Sequence, residues 1–283
     1  MKIYLAQLCQ QSQYIKEDKL KIYCAGLNQE KKRALDMDIY LAGNPPWGEQ
    51  GLYSKVCDMN IYMLESFYYI KDWQIDLIKR KVLKGFMLDS GAFTFMQNKN
   101  KTVDWDKYTE EYAEFINKYD IKLFIEMDID SVVGLKKVEQ LRTKLEKLTN
   151  KKCIPVWHKS RGKEYFLQMV KDYDYVAIGG LAIKTIKRTD FKYLHWFIKE
   201  AHKNNCKIHG LGFTPKGLKN YRFDSVDSAS WLGGNLGKYL SKFNHNQMRK
   251  IDLISDKKFN PKKVAQHNFL EWIKYQNYAE KYL

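Results

Sequence analysis

Residues 153–180 read CIPVWHKSRGKEYFLQMVKDYDYVAIGG. Two short apolar runs, 153–158 and 175–180, lie on either side of a stretch of helical length, which is the pattern of a β–α–β unit. Two parallel strands need a crossover of this kind, because the second strand must start again from the same end of the sheet. The stretch therefore predicts an α/β fold with a parallel sheet.

The same alternation extends in both directions along the chain. Six further strand-like runs are DIYLAG (38–43), NIYMLES (60–66), GFMLDS (85–90), LFIEMDID (123–130), KIHGLGF (207–213) and SVDSAS (225–230). Helical patterns separate them, for example after residues 102–104 and from Phe191. Eight strands that are apolar on both faces fit a closed (β/α)8 TIM barrel better than an open doubly wound sheet, for which six strands would suffice.

We predict a single-domain barrel over residues 36–283. Residues 1–35 precede the first β/α unit, and we expect them to form an N-terminal extension that pairs as a hairpin or caps the barrel floor. The tail after Trp231 is expected to supply the last barrel helix and one more helix around residues 268–283.

Composition and charge exclude several classes of protein. The 283 residues are 45% hydrophobic and 14% aromatic, which excludes disordered, collagen-like and coiled-coil chains. No apolar run reaches the roughly 18 residues of a membrane span and the start does not resemble a signal peptide, so we expect a cytoplasmic protein with no membrane partner. Five single cysteines without a C-x-x-C pair favour reduced thiols over disulfides or a zinc site. The net charge of +16 favours a nucleic acid partner, although an AT-rich coding genome would produce a similar composition.

In a barrel of this kind the active site lies at the carboxyl ends of the strands. Six neighbouring strand ends carry polar residues or glycines: Asp89 and Ser90, Asp128 and Asp130, His158, Gly179 and Gly180, His209 and Gly210, and Asp227. Each aspartate alone could simply cap the next helix, and each histidine could be a satisfied core residue. Several carboxylates around one mouth raise one another's proton affinity, however, and glycines leave backbone groups open to a flat ligand. Together they predict a ligand site at this mouth.

Five short motifs, in this order, resemble the tRNA-guanine transglycosylases and their DNA-acting relatives, which exchange guanine for a 7-deazaguanine on a (β/α)8 barrel. DSGAF (89–93) is similar to the family's D-S-G-G-F/Y, and Asp128 stands where the family places its base-reading aspartate. GGLA (179–182) matches the family's G-G-L-A, HGLG (209–212) is similar to M-G-V-G, and FDSVDS (223–228) is similar to I-D-M-F-D-C. The resemblance spans residues 85–231, about half of the chain.

The resemblance implies a role for each matching residue. Asp227 would be the nucleophile that captures C1′ of the sugar, and Asp89 the acid and base that serves the leaving and incoming purines. Asp128 would accept hydrogen bonds from N1–H and the exocyclic amine of guanine. The other expected substrate-binding residues are Ser90, Phe93, His158, Gly179, Gly180, Leu181, Ala182, His209 and Gly210, with Phe93 stacking on the ring. We expect Asp130 and Asp224 to be supporting or capping residues, and the chemistry to need neither a cofactor nor a metal.

A guanine inside a polymer must be flipped out or already unpaired before its C1′ can be reached. Three basic segments follow strand ends at the predicted active-site face and are expected to bind the backbone: Lys159, Arg161 and Lys163; Lys184, Lys187 and Arg188; and Lys216, Lys219 and Arg222. The family's tRNA enzymes carry a zinc-binding C-x-C-x-x-C segment after the last strand, whereas no cysteine follows Cys206 here. On strand five, where the family has a glutamine, this chain has Trp157 and His158. On strand seven, where the family has a methionine, it has His209.

The missing zinc segment and the composition look similar to phage-type DNA-guanine transglycosylases. We therefore expect DNA as the polymer and a free 7-deazaguanine base, such as 7-cyano-7-deazaguanine (preQ0), as the second substrate, with the host cytoplasm as the location if the chain is phage-encoded. Three alternatives stay open. They are a tRNA-guanine transglycosylase, a hydrolase that releases queuine from nucleosides, and a non-catalytic nucleic-acid-binding or partner subunit. The presence of both Asp89 and Asp227 argues against the last, and the charge of +16 exceeds what a nucleoside needs.

Overall fold

The computed structural model describes residues 36–43, 61–92, 94, 103–236, 239–253 and 260–283. The strands of its main sheet are β1 (Asp38–Ala42), β2 (Tyr62–Ser66), β3 (Gly85–Asp89), β4 (Leu123–Phe124), β5 (Val156–Trp157), β6 (Tyr175–Ile178), β7 (Lys207–Gly210) and β8 (Ser225–Ser228). They pair in the order β4-β3-β2-β1-β8-β7-β6-β5, and every pair is parallel.

The two ends of this order meet and close the sheet. A parallel bridge joins Ile125, just after β4, to Ile154, just before β5. The Ile154 amide donates to the Phe124 carbonyl over 2.8 Å, and the Glu126 amide donates to the Ile154 carbonyl over 3.1 Å. The predicted (β/α)8 barrel is therefore confirmed by its own strand pairing.

Helices follow the strands as the alternation predicts. They are α1 (Asp72–Lys79), α2 (Trp105–Lys118), α3 (Asp130–Val133), α4 (Leu135–Thr149), α5 (Gly162–Asp172), α6 (Leu194–Lys203) and α7 (Pro261–Tyr282), with 3-10 helices at Lys159–Arg161, Arg188–Tyr193, Leu218–Asn220 and Ser230–Leu236. Asp104 caps α2 by accepting from the Lys107 amide over 3.1 Å, which confirms the helix predicted after residues 102–104. The helix predicted from Phe191 begins instead at Leu194, after a 3-10 turn.

The inward-facing side chains of the strands form the barrel interior. They make one buried cluster, which consists of Tyr40, Ala42, Leu64, Met87, Ile125, Ile154, Val156 and Ala177. Because side chains alternate across a strand, Asp89 and His158, two residues beyond Met87 and Val156, also face inward at the carboxyl end. The register pairs His209 with Ala177 and Asp227 with Tyr40, which places both on the same inner face. The interior thus delivers the predicted site residues to one mouth.

Several predicted strands are shorter than expected. The run at 123–130 pairs with β3 at Leu123 and Phe124 and with Ile154 at Ile125, and the chain then leaves the ladder and enters α3 at Asp130. β5 is equally short, and Pro155, just before it, has no amide hydrogen to add to a ladder. The predicted strand at 207–213 ends at Gly210.

The helix predicted around residues 268–283 is confirmed as part of α7, but the prediction of a second α-helix after Trp231 is wrong for the described residues. Within the described part of this tail, the chain forms an antiparallel hairpin, β9 (Tyr239–Asn244) and β10 (Gln247–Asp252), and a single α-helix, α7. The side-chain amide of Gln276, on α7, donates to the backbone carbonyls of Ile39 on β1 and Tyr62 on β2, over 2.5 and 3.0 Å. It supplies hydrogen bonds to these two strands from the helix. α7 thereby closes the helical layer over β1 and β2.

Among the described helices, none combines the length and the apolar character needed to cross a bilayer. Cys153 and Cys206 are buried free thiols. The predicted N-terminal extension, residues 1–35, and Phe93 lie outside the described residues, as do the other three cysteines.

Candidate active site

Asp89 ends β3 at the mouth of the barrel. Its Oδ2 accepts from the Gly91 amide over 3.1 Å. Gly91 turns the chain here with φ of 71°, and a Cβ at this position would lie 2.4 Å from Ser66 Oγ, so the turn needs glycine. Burial, together with the negative charges of Asp128 and Asp227, raises the pKa of Asp89 to about 6 against the lowering effect of the hydrogen bond from Gly91. The three predicted carboxylates therefore lie within electrostatic range of one another.

Asp227, on β8, is only 8% exposed and is held through a single oxygen. The Gly212 amide donates to Oδ1 over 2.7 Å, and His209 Nε2 lies 3.2 Å from the same atom. Gly212 adopts φ of 64°, and a Cβ there would lie 2.6 Å from the Ala182 Cβ. Among the described residues no donor reaches Oδ2, so the second oxygen of this carboxylate is left for another group.

His158 and Asp128 form a close pair across β4 and β5. His158 Nε2 lies 2.6 Å from Asp128 Oδ1. Burial opposes the charged form of this imidazole, but the hydrogen bond and the charge of Asp128 outweigh burial and raise the pKa of His158 above its usual value. One oxygen of Asp128 is thus engaged by a protein donor, which the sequence did not predict.

A buried ion cluster lies behind this pair. Glu126 is fully buried and accepts from Arg142 Nε over 2.5 Å, from Arg161 Nη1 over 3.1 Å and from the Val156 amide over 2.8 Å. Arg161 Nε also donates to Asp130 over 3.1 Å. Sequence reasoning missed Glu126 and Arg142, although a glutamate inside the apolar run LFIEMD was a signal that a buried cation would face it.

Arg161 is consequently not a phosphate contact in this structure. Its side chain is 1% exposed and is committed to two carboxylates, so the expectation that it holds a nucleic acid backbone is wrong. Its physical role is to neutralise Glu126 and Asp130 together with Arg142, because buried carboxylates without enough counter-ions would be strongly destabilising. Asp130 is a supporting residue of this cluster, as expected.

Asp128, Asp130 and His158 could hold a metal ion by distance, since one ligand atom from each lies within 4.8 Å of the others. Each of them already has a partner inside the protein. His158 pairs with Asp128, and Arg161 donates to Asp130. The raised pKa of His158 also favours the protonated ring, which cannot ligate a metal. These residues fit an internally neutralised cluster better than a metal site.

A cavity of about 220 Å³ opens beside the pair. Its lining is Asp128, Asp130, Ser131, His158, Lys159, Ser160, Ile183 and Thr185. The volume lies below the roughly 300–1,000 Å³ of pockets for drug-sized ligands, so it suits a small flat molecule. Asp128 therefore lies close enough to Asp89 for their charges to repel, and it also lines the small cavity.

Neighbouring side chains occupy the space beside the glycines at the ends of β6 and β7. A Cβ on Gly179 would lie 2.4 Å from His158 Cε1, and one on Gly180 would lie 2.2 Å from Thr185 Oγ1. Phe213 and Phe223 cover Gly210 in the same way, at 3.0 and 3.4 Å. The expectation that these three glycines leave bare backbone for a ligand is wrong, because their missing side chains make room for neighbouring ones.

Other expected substrate contacts are distributed differently. Leu181 belongs to the hydrophobic core, whereas Ala182 is exposed at the mouth. Ser90 is 1% exposed, and its carbonyl accepts from the Tyr108 hydroxyl over 2.7 Å. His209 is fully buried beneath Asp227, so it does not line the base pocket as expected. Asp224 accepts from the Ile208 amide over 2.8 Å, before the start of β8, and is a supporting residue as expected.

The remaining predicted phosphate contacts are exposed: Lys159, Lys163, Lys184, Lys187, Arg188, Lys216, Lys219 and Arg222. Lys159 pairs with Asp190 over 3.0 Å, and Lys163 Nζ lies 5.1 Å from the centre of the Trp196 ring. These cations follow β5, β6 and β7 at their carboxyl ends, so they surround the mouth on one side.

No family model matches the chain, and no curated protein matches it. Solved structures that it is similar to include a protein from Aquifex aeolicus VF5 (TM-score 0.47, 12% identity, 71% of this chain and 86% of that one) and an aldolase (TM-score 0.45, 12% identity, 70% and 91%). A third is the carboxyl transferase domain of Rhizobium etli pyruvate carboxylase (TM-score 0.41, 11% identity, 86% and 48%). Similarity at this level says nothing about the activity of this chain.

Proposed function

We propose that this chain is a pentosyltransferase that exchanges guanine in DNA for a free 7-deazaguanine base such as preQ0. One observation carries the proposal. Two inward-facing carboxylates end β3 and β8 at the same mouth, one with its pKa raised to about 6 and the other held through a single oxygen. An acid that titrates near neutrality beside a fixed carboxylate is what exchange at an N-glycosidic carbon requires.

In the first half-reaction, Asp227 Oδ2 attacks C1′ while the bond from C1′ to guanine N9 breaks. The bonding electrons leave with the purine, and protonated Asp89 gives that purine a proton, so neutral guanine departs. The Asp227 carboxylate stabilises the positive charge that develops on the sugar. The product is a glycosyl ester of Asp227 with an ionised Asp89.

In the second half-reaction, the ionised Asp89 removes the N9 proton of the incoming base. The freed electron pair forms the new bond to C1′, and the ester bond to Asp227 breaks, which restores both carboxyl groups to their starting states. Two inversions at C1′ return the original anomer. The exchange conserves one glycosidic bond and consumes no external energy source.

Asp128 supports guanine selection from the wall of the small cavity. With Oδ1 paired to His158, its Oδ2 can accept an N–H from guanine. A carboxylate in that position repels the acceptor N1 of adenine, so the selection is electrostatic. The contact with Asp128 favours the protonated form of His158, whose positive charge would lie beside the base.

A nucleic acid is the proposed polymer because the chain carries a surplus of 16 positive charges and exposed cations on one side of the mouth, and DNA is proposed over tRNA because no cysteine follows Cys206 where the family's tRNA enzymes carry their zinc segment. A phosphate track there would hold the backbone while the target guanine is unstacked into the site. Affinity should therefore fall steeply with added salt.

The test is a trapped covalent adduct. The full chain is incubated with guanine-containing DNA and analysed on a denaturing gel, in parallel with base exchange using radiolabelled 7-deazaguanine. Wild type should show a shifted band and incorporate label, whereas Asp227→Asn should do neither. Asp224→Asn is the matched control, because this aspartate lies near the opposite end of the same strand and should leave both signals intact.

Each outcome separates one alternative. Label that enters bulk tRNA and not DNA would identify a tRNA enzyme, and release of base from a free nucleoside would identify a hydrolase. An Asp227→Asn chain that exchanges base at the wild-type rate would refute the nucleophile. Binding of DNA without adduct or exchange in the wild type would leave a non-catalytic binding barrel.

A further inference from the structure

A chain of hydrogen bonds runs from Asp227 down into the barrel. His209 Nε2 lies 3.2 Å from Asp227 Oδ1, and His209 Nδ1 lies 2.5 Å from Ser225 Oγ. Ser225 Oγ lies 2.5 Å from the Tyr175 hydroxyl. His209 and Ser225 are fully buried, and this series of hydrogen bonds links three adjacent strands, β6, β7 and β8.

The direction of each hydrogen bond follows from counting protons. An ionised Asp227 can only accept, so His209 Nε2 must carry the hydrogen. His209 Nδ1 can then accept from the Ser225 hydroxyl, which in turn accepts from Tyr175. In this arrangement every hydroxyl hydrogen has one acceptor, and the imidazole is neutral.

The opposite arrangement leaves a proton without a partner. If Nδ1 also carried a hydrogen, it would donate to Ser225, and Ser225 would donate to Tyr175. The Tyr175 hydroxyl hydrogen would then need another acceptor, and within the described part of the chain Ser225 is its only hydrogen-bond partner. A buried donor without an acceptor is destabilising, so the first arrangement is favoured.

We propose that His209 is a positioning residue for Asp227, held as the neutral Nε2–H tautomer by Ser225 and Tyr175. Together with the Gly212 amide it fills Oδ1 and leaves Oδ2 as the attacking oxygen. The inference rests on the proposed function of Asp227. It goes beyond the resemblance, because the family has a methionine at this strand position and cannot use this hydrogen bond.

The edge of the Tyr40 ring supports the same placement. Its centroid lies 6.1 Å from that of His209 at an interplanar angle of 73°, so the imidazole is packed as well as hydrogen-bonded. Tyr40 is in register with Asp227 on the neighbouring strand. The histidine therefore has little rotational freedom, which a residue that fixes a nucleophile requires.

The first test is spectroscopic and does not depend on activity. Imidazole ¹⁵N NMR of the full chain, with His209 assigned by its loss in His209→Gln, should show a protonated Nε2 and an unprotonated Nδ1. Ser225→Ala should remove the lock and populate the other tautomer. A wild-type His209 that carries its hydrogen on Nδ1, or on both nitrogens, would overturn the proposal.

The second test separates positioning from structure. His209→Leu should lower the rate of adduct formation roughly 10- to 100-fold, as expected for a lost hydrogen bond to a charged group, with the KM for the base unchanged. His209→Gln keeps a donor toward Asp227 and should recover most of the rate. His195→Leu, at an exposed histidine on α6, is the control and should match wild type.

The outcomes remain distinguishable from those for the proposed function. If wild type forms no adduct with any polymer, the function is wrong and His209 has no nucleophile to position, whatever its tautomer. If wild type is active but His209→Leu is equally fast, the positioning role is wrong and the function stands. Loss of thermal stability in His209→Leu without recovery of rate in the folded His209→Gln chain would also reject positioning.

Discussion

Replacing Asp89 by asparagine should make the protein more stable above pH 6 while it abolishes base exchange. The carboxyl group is held in a partly buried site beside Asp128 and Asp227, and the hydrogen bonds described to its side chain come from backbone amides, those of Gly91 and Ser90. Asparagine has the same shape, and its oxygen can still accept from those amides. The substitution therefore removes a negative charge that no described cation neutralises in the folded state.

The magnitude follows from the shift of the pKa from 3.8 to about 6. The folded chain binds this proton more tightly than the unfolded chain. The resulting stability is fully present below pH 4 and is lost as the pH rises through 6. A shift of about 2 units corresponds to about 3 kcal/mol of unfolding free energy. Asp89→Asn should therefore gain up to about 3 kcal/mol over wild type at pH 8, relative to their difference at pH 4.

The assay is urea unfolding of both chains at pH 4, 6 and 8, with adduct formation measured on the same samples. Asp120→Asn provides a control of opposite sign. Hydrogen bonds from Lys122 and Lys151 lower the pKa of Asp120 to about 2, so this exposed carboxylate stabilises the fold above pH 4 and its loss should be unfavourable there. A difference between Asp89→Asn and wild type that does not change with pH would refute the reasoning, because it would mean that the Asp89 carboxyl titrates normally.

Three further predictions test other parts of the structure. Glu65 is 1% exposed, neither of its oxygens makes a hydrogen bond of normal geometry among the described residues, and burial raises its pKa to about 8 against the lowering effect of the nearby Gln74 side chain. Its contribution to stability is present below pH 4 and lost as the pH rises through 8, so Glu65→Gln should gain about 3 kcal/mol at pH 7 and nothing at pH 4 in denaturant unfolding. Gly212→Ala should slow adduct formation at least about 10-fold, because a Cβ would strain the φ of 64° and move the amide that holds Asp227; an unchanged rate would contradict this. Arg161→Leu should lose about 3–5 kcal/mol of stability, because it removes a buried cation from both Glu126 and Asp130 while Arg142 stays paired with Glu126, whereas Lys163→Ala should stay within about 0.5 kcal/mol in stability and reduce the salt slope of DNA binding by about 1. Equal stability of these two variants would contradict the assignment.

The barrel could be predicted because its information is local and repeated. Each β-type run is short and apolar, and a helix of the right length follows it, so the strand count alone favoured closure. The tail could not be predicted in the same way. The hairpin at 239–252 packs against α7 on one side, most of its other residues are polar, and the apolar Ile251 is exposed, so its alternation is weak. The start of α7 was readable, since Asn260 before Pro261 is a strong helix start.

The candidate site divides along the same line. That Asp89, Asp128 and Asp227 share a mouth follows from parallel strands ending at one edge, which the order of the chain already contains. Two features depend on contacts between strands that no local pattern encodes. They are the side chain that packs against each glycine and the carboxylate that pairs with each arginine. His158 over Gly179 is one such contact, and Arg161 beneath Glu126 is another.

The placement of charge has a consequence for the chemistry that this mouth can support. Arg142 and Arg161 are both committed to Glu126 and its neighbours, and among the described residues no lysine or arginine pairs with Asp89 or Asp227. The mouth is therefore locally negative in a chain of net charge +16, while the exposed cations lie outside it. A phosphate drawn to those cations stops short of the carboxylates, because like charges exclude it from the mouth. A negative mouth favours a group that becomes positive as it reacts, and under the proposed function that group is the sugar carbon that loses its base.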